Sequence, residues 1–157
     1  MRQFALLFVL AICNVACAQT TDRTKINEPT CANPVGIWVN EMGSTLNIMA
    51  MDANGYIQGT YSSPSGAGST AYPLIGWVNN SEVNPTDPCA SCKENNKGVI
   101  SFTVRWGTIG SITSWTGTCA TNEDGTLVLK TMWHLSRPNT QFSWDHTLSG
   151  ADIFTPQ

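Results

Sequence analysis

An alternation of period two constrains this chain more than any other feature. From Trp38 onward apolar residues recur at every second position in short runs, and no stretch keeps a convincing helical spacing. In GVISFTVRWG, Ile100, Phe102, Val104 and Trp106 share a face opposite Ser101, Thr103 and Arg105. In TLVLKTMWHL, Leu127, Leu129, Thr131, Trp133 and Leu135 lie opposite Lys130, Met132 and His134. In the last run, FSWDHTLSGADIFT, the shared face holds His146, Leu148, Gly150, Asp152 and Phe154. Turn signals part the runs: Asp52-Ala53-Asn54-Gly55, Ser63-Pro64-Ser65-Gly66, Asn79-Asn80-Ser81, Asn95-Asn96-Lys97-Gly98 and Asn122-Glu123-Asp124-Gly125. Two strands about the turn Glu41-Met42-Gly43, then YIQGTYSS, YPLIGWVN, SITSWTGTCAT and the three runs above, make eight. The pattern predicts an all-β fold, an eight-stranded antiparallel up-and-down β-barrel, closed so that no strand edge stays open. A barrel of eight strands is wide enough inside for one small ligand.

The inward rows begin apolar and finish with Trp or a small polar residue. Asn40, Ser44, Tyr61, Ser63, Ser111, Thr113 and Asp152 gather as a candidate mouth, with Trp106, Trp115, Trp133 and Trp144 as walls. Buried polar groups need partners. Seven beside four indoles imply a ligand polar at one end and apolar elsewhere. Asn40 and Ser44 could instead be turn residues bonding their own backbone, and Asp152 a structural carboxylate capping loop amides. No Ser-His-Asp spacing, paired-acid pattern or phosphate-binding glycine loop stands out, and His146 has no nucleophile in view. A non-enzyme is expected, with no cofactor.

These residues carry a resemblance. GIWVNEMGS (36–44), GTY (59–61), FTVRW (102–106), WTGTC (115–119), LKTMW (129–133) and ADIFT (151–155) led by Trp144 resemble, in order and spacing, the avidin and streptavidin family of biotin-binding proteins. The resemblance runs from Cys31 to Thr155 and implies that Asn40, Ser44 and Tyr61 donate to the ureido oxygen of biotin, as in an oxyanion hole but for binding only. It implies that Asp152 and Ser63 accept from the ureido N–H groups. Family members carry Asn or Asp at the first of these positions, and this chain has the acid. Thr113 would touch the thiophene sulfur and Ser111 the valerate carboxylate. Trp106, Trp115, Trp133 and Leu135 would enclose the rings, and Trp144 would reach into a neighbouring subunit of a homotetramer. A Cys31–Cys119 disulfide is implied in the same way. The chain departs from the family pattern in Ala67, in a long segment after Val78, and in Ser149 and Ala151, which are smaller than their counterparts in avidin.

The remaining features set the surroundings. Arg2, the apolar run Phe4–Ile12 and Ala16-Cys17-Ala18 read as a secretory signal peptide over residues 1–18. A lipoprotein signal using Cys17 is the rival reading. Residues 19–30 read as a flexible leader and 31–157 as the avidin-like barrel domain. Secretion follows, extracellular or periplasmic if the source is bacterial. No later apolar run is long enough for a membrane helix. Charged residues make up only 12% of the chain, net charge is −3, and no basic cluster occurs, which argues against nucleic acid and membrane partners. Cys89-x-x-Cys92 could be a metal knuckle, a redox pair or a local disulfide. His134 and His146 have no spacing to complete a metal site, and the Pro- and Asn-rich context does not suit a redox helix, so a local disulfide reads best. Asn79-Asn80-Ser81 is a glycosylation sequon. His134, outward beside Met132, is expected at a subunit interface. The expected function is a secreted, high-affinity biotin-binding protein, sequestering the vitamin in defence. The alternatives are a lipocalin-like carrier of another small ligand, whose inward set would lack convergent polar groups, and a barrel-type protease inhibitor working through the loop NPTDPCASCKENN.

Overall fold

The computed structural model describes residues 28–66, 68–79 and 97–157. Eight strands follow one another: β1 (Gly36–Asn40), β2 (Thr45–Met51), β3 (Tyr56–Ser63), β4 (Gly68–Asn79), β5 (Gly98–Arg105), β6 (Ile112–Thr121), β7 (Leu127–Ser136) and β8 (Thr147–Pro156). Each pairs antiparallel with the next, and β8 returns to β1 to close the barrel in the order β1 to β8. Among the described residues the only helical piece is a single 3₁₀ turn, Gly107–Ile109, between β5 and β6. No helix among them is long and apolar enough to cross a membrane.

Local chemistry makes the corners. At the β1–β2 hairpin Gly43 takes φ +76°, a left-handed conformation that closes a three-residue loop. The Gly43 amide donates to the Asn40 carbonyl, and the Asn40 amide to the Ser44 carbonyl, both at 3.0 Å. At the β2–β3 corner the Asp52 carboxylate accepts from the amides of Asn54 and Tyr56 at 2.8 and 2.9 Å, fixing the turn the Asp-Ala-Asn-Gly stretch encodes.

Because side chains alternate across each strand, Trp38, Leu46, Ile48, Ile57, Leu74, Ile100, Phe102, Val104, Leu129 and Phe154 all point inward and are buried. Each such side chain is worth roughly 1.5–3 kcal/mol of burial. The Trp38 indole N–H, which burial would otherwise leave unpaired, donates to the Pro34 carbonyl at 2.8 Å. Cys31 and Cys119 are joined by a disulfide that ties the segment before β1 to β6. The closing seam is short: only Trp38, Val39 and Asn40 find partners on β8. Beyond the end of β1 the Glu41 carboxylate takes over, accepting from the Ile153 amide at 3.1 Å.

Two strand starts differ from the sequence expectation by more than two residues. β4 starts at Gly68 rather than Tyr72, because Ser63 pairs with Gly68 and lengthens the hairpin. The last strand starts at Thr147, not Phe142. His146 therefore does not continue the inward row; its Nδ1 pairs with the Arg137 carbonyl at 2.8 Å, where the β7–β8 loop is stapled shut. The proposed signal peptide and most of the leader, Ala67, and the segment 80–96 with Cys89, Cys92 and the inhibitor-type loop lie outside the described residues.

Candidate functional site

The connections β1–β2, β3–β4, β5–β6 and β7–β8 all lie at one end of the barrel, and there the apolar core gives way to a cavity of about 380 Å³. That volume suits one small molecule. Of the residues expected at the site, Asn40, Ser44, Tyr61, Ser63, Trp106, Ser111, Thr113, Trp115, Trp133, Leu135 and Asp152 line it together. Trp144 does not. It stands 77% exposed on the β7–β8 loop, stacked on Phe142 at 4.7 Å between ring centres. The turn Phe142–Asp145 carries its indole away from its own barrel, whereas the resemblance implied a reach into a neighbouring subunit.

The polar end is organised around Asp152. One carboxylate oxygen accepts from Asn40 Nδ2 at 3.1 Å, the other from the Trp115 indole N–H at 2.8 Å. These two donors make burial of a carboxylate with no cation beside it tolerable. Thr131 anchors the same residue by donating to its carbonyl at 3.2 Å. Asn40 is itself pinned, because its Oδ1 accepts from the amides of Met42 and Ser44 at 3.1 and 2.7 Å. Asn40 thus caps its own hairpin, and the same bonds direct its amide nitrogen to Asp152 on the cavity wall. Its second Nδ2 hydrogen is not used by Asp152.

Beside it the Ser44 hydroxyl donates to Ser63 Oγ, which also approaches Ser65 Oγ, both at the long distance of 3.4 Å. Such weak pairs yield readily to a ligand. The Tyr61 phenol is buried among Phe102, Trp106, Trp115 and Phe154. Burial pushes its pKa up to about 12, with the Ser44 hydroxyl opposing and the negative charges of Asp152 and Glu41 reinforcing the shift. The phenol therefore keeps its proton and remains a donor.

The walls are aromatic. Trp115 stacks on Phe102 at 4.9 Å, and Trp106 meets Tyr72 edge-on at 5.3 Å. The Trp106 indole N–H donates to Thr113 Oγ at 2.7 Å, which leaves the threonine hydroxyl hydrogen for the cavity. Trp133 is seated by Gly150: a Cβ there would lie 2.4 Å from the indole Cζ2. Met42, Ser65, Gly66, Ile109 and Arg137 also line the cavity and were not singled out from the sequence. Arg137 could have been found, since it continues the inward row Trp133, Leu135 by one further step of two. The others come from turns, where alternation gives no guide.

No histidine or lysine stands among the described lining residues, and the carboxylate oxygens of Asp152 are bonded to Asn40 and Trp115 rather than to a serine. His134 is on the outer face of β7, opposite Ser114 and Ser149, and His146 is in the loop. Among the described residues no cluster of three or more His, Cys, Asp or Glu could hold a metal ion. Fold and site together define a β-barrel receptor for one small ligand, polar at its buried end.

The chain matches the Avidin family over residues 28–157 and belongs to it. It is 34% identical to avidin of Gallus gallus over 127 residues, covering 76% of this chain and 75% of that one. It is 32% identical over 125 residues to avidin-related protein 4/5 of the same organism, again 76% and 75% of the two chains. Among solved structures, xenavidin superposes with a TM-score of 0.63 at 32% identity, covering 80% of this chain and 98% of its own. A biotin binding protein from chicken gives 0.62 at 27%, covering 78% and 94%. Avidin-family proteins bind biotin as a ligand, use no cofactor and catalyse no reaction.

Proposed function

We propose that this chain is a secreted protein that binds biotin tightly, through the residues lining the cavity, and that it acts by sequestering the vitamin. The observation that carries this reading is the polar end of the cavity. Asn40 Nδ2, the Ser44 hydroxyl and the protonated Tyr61 phenol line it as donors, with the Asp152 carboxylate next to Asn40 and Ser63 next to Ser44. That is the complement of a cyclic urea, which presents one carbonyl oxygen flanked by two N–H groups. Donors converge on the oxygen and polarise it, while Asp152 and Ser63 take the hydrogens. Trp106, Trp115, Trp133 and Leu135 then meet the apolar rings, and Thr113 the sulfur. Ser111 meets the carboxylate chain at the mouth. Indoles and a closed barrel have few torsions left to freeze, so little ordering cost opposes binding.

In this reading the molecule is a homotetramer. The exposed Phe142–Trp144 pair would cover a neighbour's site, and the outer face of β7 and β8, with Met132, His134 and Ile153 exposed, would be buried between subunits. The test is a thermal melt of the purified protein with and without biotin, on a sizing peak of known mass. A ligand that binds only the folded state raises the midpoint. A large rise at stoichiometric biotin and a tetrameric mass are the expected results. No rise would refute biotin binding and leave only the barrel.

A further inference from the structure

We propose that Arg137 is a specificity residue, whose guanidinium receives the ligand's terminal carboxylate and makes the site prefer an acid-tailed ligand to a neutral-tailed one. The inference rests on the biotin reading above and deepens it. Arg137 follows β7 directly and lines the mouth of the cavity with Ile109, Ser111 and Leu135. It is the single cation among the described lining residues, and its side chain is 29% exposed.

The guanidinium is held in place before any ligand arrives. Its Nε and Nη2 both donate to the Asp145 carbonyl, and Nη2 also pairs with the Asp145 carboxylate. The backbone beneath is clamped as well, with the Arg137 amide donating to the His146 carbonyl at 2.8 Å and the Arg137 carbonyl meeting His146 Nδ1 at the same distance. Among the described residues no partner takes Nη1, so two of the five donors of the fork remain for a ligand. A tethered guanidinium loses little rotamer freedom on gaining a carboxylate.

Charge also sets direction. The buried negative group, Asp152, is at the inner end and the cation is at the mouth. A ligand with a urea head and an acid tail is therefore repelled if inserted backwards and doubly favoured if inserted head first. Asp145 offsets part of the guanidinium charge and solvent screens the rest, so the discrimination is modest, about tenfold for one partly exposed charge-assisted contact.

The experiment is competition between biotin and biotin amide, which differ only in the tail charge, on wild type, Arg137→Gln and Arg137→Lys. The ratio of the two affinities is the readout. In Arg137→Gln the preference for the acid should fall by about tenfold, while Arg137→Lys should keep part of it, since the charge is retained and the tethered fork is not. A purely structural staple would weaken both ligands equally and leave the ratio unmoved in Arg137→Gln, which would overturn the proposal. Should that variant fail to fold, the wild type still decides. Its acid preference should shrink as salt rises from about 0.01 to 1 M, where the screening length falls from about 30 to 3 Å. A salt-independent ratio would overturn it too. Binding of neither ligand by wild type would instead sink the biotin reading itself, and this inference with it.

Discussion

The Asp152–Trp115 contact permits a quantitative test of how the buried acid is held. Replacing Asp152 with Asn removes a charge, and the desolvation part of that change is hard to assign. A double-mutant cycle with Trp115→Phe removes it, because the charge is lost in both backgrounds. What remains is donor geometry. Asn40 cannot turn its amide, since its oxygen is fixed by the amides of Met42 and Ser44. It must therefore point N–H at residue 152, and the Trp115 indole can only donate. An asparagine at 152 offers one oxygen and one NH₂, so one of those two donors meets another donor. In the Trp115→Phe background the conflict disappears, because the asparagine oxygen faces Asn40 and its NH₂ faces the cavity. One buried donor left unpaired costs roughly 1–3 kcal/mol. Asp152→Asn should thus cost about 2 kcal/mol more with Trp115 in place than in the Trp115→Phe background, or about 5–10 °C in melting midpoint for a domain of this size. Ligand-free melts of the four proteins at one protein concentration measure it. Effects that add to within about 0.5 kcal/mol would refute the reasoning.

Two further outcomes follow from the same geometry. Tyr61, raised by burial from 10.0 to about 12, favours the folded state fully below pH 10, and that contribution is lost as the pH rises from 10 to 12. Melts across that range should show a decline that Tyr61→Phe flattens, and ultraviolet titration should show a phenol ionising well above 10 that is lost in Tyr61→Phe; a Tyr61 ionising near 10 would refute the burial argument. Gly150→Ala sets a methyl against the Trp133 indole, which must shift out of the pocket wall. Overpacking of this kind costs about 1–3 kcal/mol, so biotin should bind about tenfold or more weakly, with altered tryptophan fluorescence; unchanged affinity would show that Trp133 is not a wall of the site.

The barrel was legible because most strands carry an inward row, despite register shifts in β2 and β3, and a one-residue slip would turn that row to solvent. Phe142–His146 escaped because their alternation is accidental. Arg137 and Asp145 pair across the loop root instead, an interaction between residues eight apart that has no periodic trace. Asn40 and Ser44 stood out as polar residues ending an apolar row, and the hairpin geometry then explained why the two possible uses of Asn40 are one arrangement.

Sequence by itself determined the eight strands and the inward face of most of them, and it named eleven of the residues that line the cavity. It did so because alternation and turn chemistry are local properties of the chain. Only the closed barrel decided what those residues do to one another. Asn40 and Asp152 are 112 positions apart, and Trp115 and Asp152 are 37 apart. They meet because β8 pairs with both β1 and β7, and β7 with β6, so closure brings the three side chains to one end of one cavity. Closure likewise brings the Glu41 carboxylate to the Ile153 amide. Local bonds aim Asn40 and hold Arg137, but which donor meets which acceptor is a property of that closure, which no stretch of the chain contains alone.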